Sequence, residues 1–126
     1  MRAREGRPPI RVAHLGLGAF HRSHQAWYTH LANERAEGDG WGIVSFGSRS
    51  RDLADALSAQ DGVYTLLERS AGGDSATIIE SIVATGVAGD EAWAAALSNR
   101  DIDVLTVTVT EAGYAAGALP PARIAA

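Results

Sequence analysis

Two glycines, Gly16 and Gly18, separate a short apolar run from a long segment without glycine or proline. The run before them, residues 10–15, alternates briefly between apolar and polar residues and predicts a β-strand that ends at the glycines. The segment after them, residues 19–35, predicts one continuous helix that ends at Gly38-Asp39-Gly40. A strand, a tight turn and a helix in this order begin an alternating α/β arrangement.

Periodicity within the helical segment predicts its buried face. Phe20, Trp27 and Leu31 recur at helical spacing, and His24 lies between them on the same side. We therefore expect these side chains to form one stripe that packs against the sheet.

The rest of the chain continues the alternation. Further strands are predicted over residues 41–47, 63–68, 76–83 and 103–109, with Gly72-Gly73 as a hairpin turn between the second and third of these. Two further helices are predicted, each with an N-cap residue followed by apolar residues on one face. Their N-caps and apolar positions are Ser50 with Leu53, Ala54 and Leu57, and Asp90 with Trp93, Ala96 and Leu97.

This order of elements predicts the fold class. Continuous apolar strands that alternate with helices imply a mainly parallel sheet covered on both faces. Right-handed crossovers place the first strand centrally, with the second strand on one side and residues 104–109 on the other. We expect an α/β fold with part of a Rossmann-like, doubly wound sheet and an inserted β-hairpin. It should occupy residues 10–114, between a flexible tail over residues 1–9 and an irregular tail over residues 115–126.

Composition narrows the function classes. The length of 126 residues suits one domain, and a net charge of -4 argues against a nucleic-acid partner, which needs a basic surface. The absence of cysteine excludes a disulfide framework, a thiolate metal site and a cysteine nucleophile. No apolar segment reaches the ~18 residues of a membrane span, and the basic start lacks the apolar region of a signal peptide. We therefore expect a cytoplasmic protein with no membrane partner.

The glycine turn is a candidate ligand site. Its first glycine permits a tight turn, and its second lets a phosphate approach the backbone. The helix start behind them offers free N–H groups and a positive dipole end, which suit a pyrophosphate. Because His21 stands where a dinucleotide pattern has its third glycine, a turn without a ligand stays as the alternative.

The end of the second strand is a candidate site for the adenosine ribose. Dinucleotide folds usually carry an acid there, ~20 residues after the glycines. This chain instead has Phe46-Gly47-Ser48-Arg49. Arginine binds phosphate as a fork, so Ser48 and Arg49 are compatible with the 2′-phosphate of NADP, and a surface arginine beside a helix cap is the alternative. NAD and NADP both stay open.

Histidines are the chain's main candidate metal ligands. His21 and His24 share a helix face, but no acidic residue lies nearby in sequence to complete a zinc-type ligand set. We therefore expect no metal site. His24 should pack within the helix face, and His21 in the first turn should contact phosphate or substrate.

Residues 15–26, LGLGAFHRSHQA, resemble the opening of the polyol-specific long-chain dehydrogenases, the family of mannitol dehydrogenase and the hexuronate (fructuronate and tagaturonate) reductases. Further segments resemble the same family in the same order. They are WGI at residues 41–43 with Gly47, QDGVYTL at residues 60–66, IESI at residues 79–82 and VTVTEAGY at residues 107–114.

The resemblance implies the NAD(P)-binding Rossmann domain of an oxidoreductase that interconverts a secondary alcohol and a ketone on a polyol or hexuronate. It implies cofactor contacts at the glycine turn, at the end of the second strand and at the end of the last strand. The residues implied are Gly16, Gly18, Ala19, Phe20, His21, Ser48, Arg49, Thr108, Thr110 and Glu111. For Glu111, a solvated loop carboxylate is the alternative.

The family's catalytic residues are absent. Its catalytic lysine, with a following Asn and His, belongs to a helical C-terminal domain, whereas this chain contains no lysine. The resemblance therefore implies no catalytic residue here. We expect an inactive fragment that would meet a polyol or uronate only if the missing domain were supplied.

Two other functions stay open. A non-catalytic remnant could associate with a partner, or with itself through an exposed sheet edge at residues 104–109. A methyltransferase-type nucleotide domain also uses a glycine turn, but it normally has an acid at the end of its second strand, which Ser48 and Arg49 do not supply.

Overall fold

The computed structural model describes residues 6–48 and 51–110. Strands and helices alternate over most of this part of the chain. In chain order the elements are β1 (Ile10–Leu15), α1 (Ala19–Ser23), α2 (Gln25–Arg35), β2 (Gly42–Gly47), α3 (Asp52–Ala59), β3 (Tyr64–Ser70), β4 (Gly73–Ile79), β5 (Ile82–Val87), α4 (Glu91–Ser98) and β6 (Val104–Val107).

The main sheet is parallel and has four strands in the order β5-β2-β1-β6. The first strand is central, with the second strand and the last strand on opposite sides of it. Strands β3 and β4 form a separate antiparallel hairpin that turns at Ala71 and Gly72, so the predicted turn at Gly72-Gly73 is shifted by one residue and Gly73 begins β4 opposite Ser70. The predicted α/β fold, a partial Rossmann-like sheet with an inserted hairpin, is confirmed.

Helices cover both faces of the sheet. On one face Val12 and Ile43 pack with Leu57 of α3 and Ala26 of α2. On the other face Phe46 packs edge-on against Trp93 of α4, with ring centroids 5.0 Å apart.

Two of the predicted helices lie where the sequence indicates. The carboxylate of Asp90 accepts a hydrogen bond from the backbone N–H of Trp93 at 2.9 Å, as an N-cap does. Helix α3 buries Ala54 and Leu57. The other predicted cap, Ser50, lies outside the described residues.

The prediction of one strand over residues 76–83 is wrong, because the chain leaves the hairpin at Ile79 and enters the main sheet at Ile82. Both isoleucines are fully buried. Between them, the Ser81 hydroxyl donates to the carbonyl of Ala26, and the Ser81 carbonyl accepts from the N–H of Ile43 at 2.8 Å. These bonds fix the chain beside β2 and create a fourth strand in the main sheet that the sequence did not indicate.

The last strand is shorter than predicted, four residues rather than residues 103–109. Its pairing with β1 ends at Leu15 opposite Val107. Beyond Leu15 the backbone of the first strand enters the glycine turn, so β6 has no neighbour there with which to continue the ladder.

The continuous helix predicted over residues 19–35 is also wrong, since it breaks at His24, with φ -126° and ψ -83°. The Ser23 hydroxyl donates to the carbonyl of Ala19 at 2.8 Å, and Nδ1 of His24 bonds the carbonyl of Phe20 at 2.9 Å. These side chains compete for carbonyls that a continuous helix would pair with its own backbone.

The break changes which helical side chains are buried. Phe20 is 63% exposed and His24 is exposed, contrary to the predicted stripe. The buried positions are His21, Ala26 and His30, and Trp27 packs only partly against the core. Two short helices separated by the break at His24 do not present one continuous face.

The N-terminal segment contacts the rest of the domain. The Arg7 guanidinium donates to the carbonyls of Asp61, Glu80 and Ile82, at 3.1, 2.7 and 2.5 Å. The domain boundaries at residues 10 and 114 stay a prediction. Among the described helices, none combines the length and the apolar character needed to cross a bilayer. The cytoplasmic location stays a prediction as well.

Gly62 gives a test of the fold. Its φ is +75°, and an added Cβ would lie 2.3 Å from the carbonyl oxygen of Ile82, where β5 begins. Gly89 has a similar φ of +91° but open space around it. We expect Gly89→Ala to cost about 1 kcal/mol of unfolding free energy from backbone strain alone. Gly62→Ala should cost at least about twice as much in urea unfolding. Equal costs would contradict this account.

Candidate functional site

A cleft of about 380 Å³ opens at the carboxyl ends of β1, β2 and β6. In open α/β sheets ligands bind at this edge, where neighbouring crossovers run in opposite directions. The residues that line it are Gly16, Leu17, Gly18, Ala19, Phe20, His21, Gly47, Ser48, Leu53, Thr108 and Thr110.

The cleft brings together all the predicted site residues that the structure describes. Arg49 and Glu111 lie outside the described residues. Sequence reasoning missed Leu17, Gly47 and Leu53 as lining residues. Leu53 lies near the start of α3, just after β2, and this position in the sequence indicates the carboxyl edge of the sheet. The helical periodicity of residues 53–57 instead predicted that Leu53 is a core residue. That these residues contact a cofactor stays a prediction.

Gly16 is required by the shape of the turn. Its φ is +120°, and an added Cβ would lie 2.9 Å from Cβ of Thr108. The turn is fixed on both sides, because Gly16 N–H donates to the Phe46 carbonyl at 2.8 Å and Thr108 N–H donates to the Leu15 carbonyl at 2.9 Å. Any side chain at Gly16 would therefore strain the turn and displace β6.

Gly18 is different, because its backbone suits any residue, with φ -72° and ψ -175°. An added Cβ would meet no atom within 4 Å, so the space beside Gly18 is open. The Gly18 carbonyl accepts from the N–H of Arg22 at 3.2 Å, and the N–H groups before Arg22 have no acceptor within α1. This arrangement of open space and free N–H groups fits a phosphate.

The free N–H groups of α1, rather than a long helix dipole, make the turn suitable for an anion. Helix α1 has only five residues before the break at His24. The positive dipole end predicted behind the glycines is therefore that of a short helix. Individual N–H donors close to the ligand remain available.

Phe20 gives the cleft an exposed aromatic side. Its ring stacks on His24, with ring centroids 4.2 Å apart. His24 thus lies at the surface beside the cleft and does not pack in the core as predicted.

His21 lines the cleft, but its side chain is 1% exposed. Its Nδ1 lies 3.0 Å from Oε1 of Gln25, and its Nε2 lies 2.8 Å from Oγ of Ser45. Since protein groups engage both ring nitrogens, a contact between His21 and a phosphate would have to come from its backbone.

His14, on β1, stacks on His21 with ring centroids 3.7 Å apart and an interplanar angle of 8°. Burial lowers the pKa of His21 to about 3, and the nearby charges of His14 and Arg22 act in the same direction. Burial also lowers the pKa of His14, against a smaller opposite effect of its hydrogen bond to Gly16. The two rings are therefore neutral at pH 7.

Other parts of the described chain offer weaker sites. A larger groove of about 870 Å³ lies near the amino ends of β1 and β6, between residues 6–11 and residues 99–103. Ligands of open α/β sheets bind at the opposite edge. Within residues 6–48 and 51–110, no three histidine, aspartate or glutamate side chains are grouped to hold a metal ion.

Comparison with known proteins gives a consistent result. A family model described as the mannitol dehydrogenase Rossmann domain matches residues 10–125. Mannitol dehydrogenase 2 of Saccharomyces cerevisiae is 39% identical over 107 residues, which cover 82% of this chain and 21% of that protein. The chain thus spans about a fifth of the length of the curated relatives it matches, 21% in this case.

Solved structures agree with the sequence relatives. The Pseudomonas fluorescens mannitol 2-dehydrogenase in a ternary complex with NAD and D-mannitol matches with a TM-score of 0.74 and 36% identity, over 85% of this chain and 23% of that chain. A D-sorbitol dehydrogenase in substrate-free form matches with a TM-score of 0.74 and 30% identity, over 87% of this chain and 24% of that chain.

The neutral histidine pair predicts acid sensitivity. Because both pKa values lie below that of an exposed histidine, the unfolded chain binds more protons than the folded chain once pH falls below about 6.5. Stability should therefore decrease as pH is lowered from about 6.5, by up to about 1.4 kcal/mol per pH unit for each histidine. Urea unfolding followed by tryptophan fluorescence between pH 7.5 and 5 measures this slope.

A variant separates this effect from the titration of carboxylates. His21→Gln should unfold with a shallower dependence on pH than the wild type. The same slope in both proteins would show that the buried pair does not cause it.

Proposed function

The chain belongs to the mannitol dehydrogenase family, as its Rossmann domain, and on that premise we propose that the glycine-turn cleft binds NAD(H). The open space at Gly18 carries this proposal, because a glycine that the backbone does not require lies beside free N–H groups at the carboxyl edge of the sheet. The relative from Pseudomonas fluorescens, solved with NAD, supports it.

Each part of the cleft would hold a different part of the dinucleotide. The N–H groups that follow Gly18 would bind the pyrophosphate, and Ser48 at the end of β2 would contact the adenosine ribose. Thr108 and Thr110, beyond β6, would face the nicotinamide side. When bound, the cofactor supplies a hydride acceptor, and this chain contributes binding and orientation.

The coenzyme could carry a 2′-phosphate. Arg49 follows Ser48 in the sequence, and a guanidinium there would bind that phosphate as a fork. Binding of both NADH and NADPH is therefore part of the proposal, and titrating the two side by side measures the preference.

We propose further that the domain serves an oxidoreductase that interconverts an alcohol and a ketone on a polyol or hexuronate. The mannitol and sorbitol dehydrogenases among its relatives support a polyol. Because the chain contains no lysine, which the family uses in catalysis, the chain alone should bind cofactor without oxidising a sugar alcohol. Measurable mannitol or sorbitol oxidation by the purified chain would contradict this.

Gly18→Ala tests the cofactor site. The added methyl group would occupy the space proposed for phosphate without straining the backbone, so NADH affinity should fall at least about tenfold while the melting temperature stays within about 2 °C. Nicotinamide fluorescence measures binding, and calorimetry measures stability.

Gly72→Ala is the matched control. Gly72 lies in the hairpin turn, where an added Cβ would meet only Oγ of Ser70 at 3.9 Å. Its NADH affinity should equal that of the wild type. Unchanged NADH affinity in Gly18→Ala would contradict the proposal that the pyrophosphate binds at this turn. Absence of wild-type binding to either coenzyme up to millimolar concentration would overturn the proposed function.

A second copy of the chain is a proposed partner at the free edge of β6. Leu105 and Val107 are 51% and 52% exposed, and among the described strands β6 pairs only with β1. An apolar edge strand with unpaired backbone groups pairs readily with another strand.

Val107→Lys tests this association. A charge on the edge strand should convert a dimer into a monomer, as measured by sedimentation velocity. Ile78→Lys is the control, because Ile78 is 61% exposed but lies on the hairpin. A wild-type chain that sediments as a monomer at high concentration would contradict the proposal.

A further inference from the structure

We propose that Ser45, His21, Gln25, Thr106 and His14 form one directed chain of hydrogen bonds that holds the carbonyl of Gly16 and positions the glycine turn for its cofactor. The positioning role rests on the proposed function, whereas the direction of the hydrogen bonds does not.

These five side chains come from five different elements. His14 belongs to β1, His21 to α1, Gln25 to α2, Ser45 to β2 and Thr106 to β6. The two histidines and Ser45 are buried, with at most 3% exposure, and Gln25 and Thr106 are half-buried. The network therefore joins three strands of the sheet to both helices that follow the glycine turn.

The direction of the network is set at the Gly16 carbonyl, which can only accept. Nε2 of His14 lies 3.2 Å from this oxygen and must donate to it. Because a neutral ring carries one hydrogen, Nδ1 of His14 must accept, and the Thr106 hydroxyl at 2.7 Å donates to it. In this tautomer the Thr108 hydroxyl, 3.0 Å from Nε2, can only accept from the same N–H.

The same counting continues to Ser45. Because the Thr106 hydroxyl donates its hydrogen to His14, its Oγ1 accepts from the Gln25 amide nitrogen at 3.1 Å. The Gln25 carbonyl oxygen then accepts from Nδ1 of His21 at 3.0 Å. Nε2 of His21 accepts from the Ser45 hydroxyl at 2.8 Å. The two stacked rings are thus opposite tautomers, with the hydrogen on Nε2 in His14 and on Nδ1 in His21.

The groups around the pair keep it uncharged. The elements packed against it contribute the neutral side chains of Ser45, Gln25 and Thr106. The positive charge of Arg22 opposes protonation of His21, and a proton on His14 would oppose it too. Burial lowers the pKa of both histidines, which favours the one-hydrogen state that the network needs.

The network acts on the glycine turn through the peptide of Gly16. Its peptide lies against Thr108 on one side, and its carbonyl bonds His14. Leu17 and Gly18, the next residues, line the cleft. Fixing the Gly16 peptide therefore orients the N–H groups that follow before any ligand arrives, and such preorganisation increases affinity.

Nitrogen-15 NMR of the histidines tests the hydrogen-bond direction without any cofactor. Long-range 15N–1H spectra of the labelled chain at pH 7 should show one buried ring protonated on Nε2 and one on Nδ1, assigned by loss of signal in His14→Gln and His21→Gln. The His21 ring, whose pKa burial lowers to about 3, should not titrate down to pH 5.5, and the His14 ring should titrate at a lower pH than an exposed histidine. Identical tautomers, or titration of either ring near pH 6.5, would overturn the proposal.

The positioning role is tested by NADH affinity in two variants of His14. Glutamine can donate to Gly16 and accept from Thr106, so His14→Gln should keep affinity within about threefold. Leucine can do neither, so His14→Leu should lose about tenfold or more. Far-ultraviolet circular dichroism shows whether each variant is folded, and an unfolded His14→Leu leaves His14→Gln and the NMR experiment to decide.

Loss of affinity in folded His14→Gln equal to that in His14→Leu would overturn positioning through these hydrogen bonds. Wild-type NADH affinity in both variants would overturn the positioning role as well. Failure of the wild type to bind either coenzyme is a different result, since it contradicts the proposed function while the tautomers still test the network.

Discussion

The candidate site depends on the pairing of β1 with β2 on one side and with β6 on the other. Leu15 lies opposite both Phe46 and Val107, so three carboxyl ends meet at one level. The bonds from Gly16 N–H to Phe46 and from Thr108 N–H to Leu15 extend this pairing into the glycine turn. The cleft is therefore a product of the sheet register, and a shift in either pairing would separate its walls.

The core beneath the cleft is polar where most α/β cores are apolar. Burying a histidine or serine without partners would cost several kcal/mol, so the buried His14, His21 and Ser45 have to be satisfied by one another and by their neighbours. This requirement makes the geometry specific, because a hydrogen-bond network tolerates less displacement than an apolar contact. Rigidity near the turn is thus achieved with side chains whose polar atoms bond one another and their neighbours rather than the proposed ligand.

The sequence predicts the strand order and the cleft because both follow from connectivity: β1, its turn and the ends of β2 and β6 must converge. It does not predict the break at His24, where a side chain bonds a backbone carbonyl that a continuous helix would pair with a backbone N–H. Nor does it reveal that Ile79 and Ile82 belong to different sheets, since no glycine or proline separates them and only Glu80 and Ser81 interrupt the apolar pattern. The stack of His14 on His21 is hidden too, because periodicity treats histidine as polar and a tight turn separates the two residues.

The pairing of β1 with β6 also sets the order of events during synthesis. His14 and Thr106 are 92 residues apart, and closing so long a loop is entropically costly until other contacts have formed. While a ribosome has released β1, β2 and the hairpin but not β6, His14 lacks its hydroxyl partner and Gly16 lacks Thr108. The nascent chain can thus build most of its sheet early, yet it acquires a complete glycine turn only when its last described strand emerges.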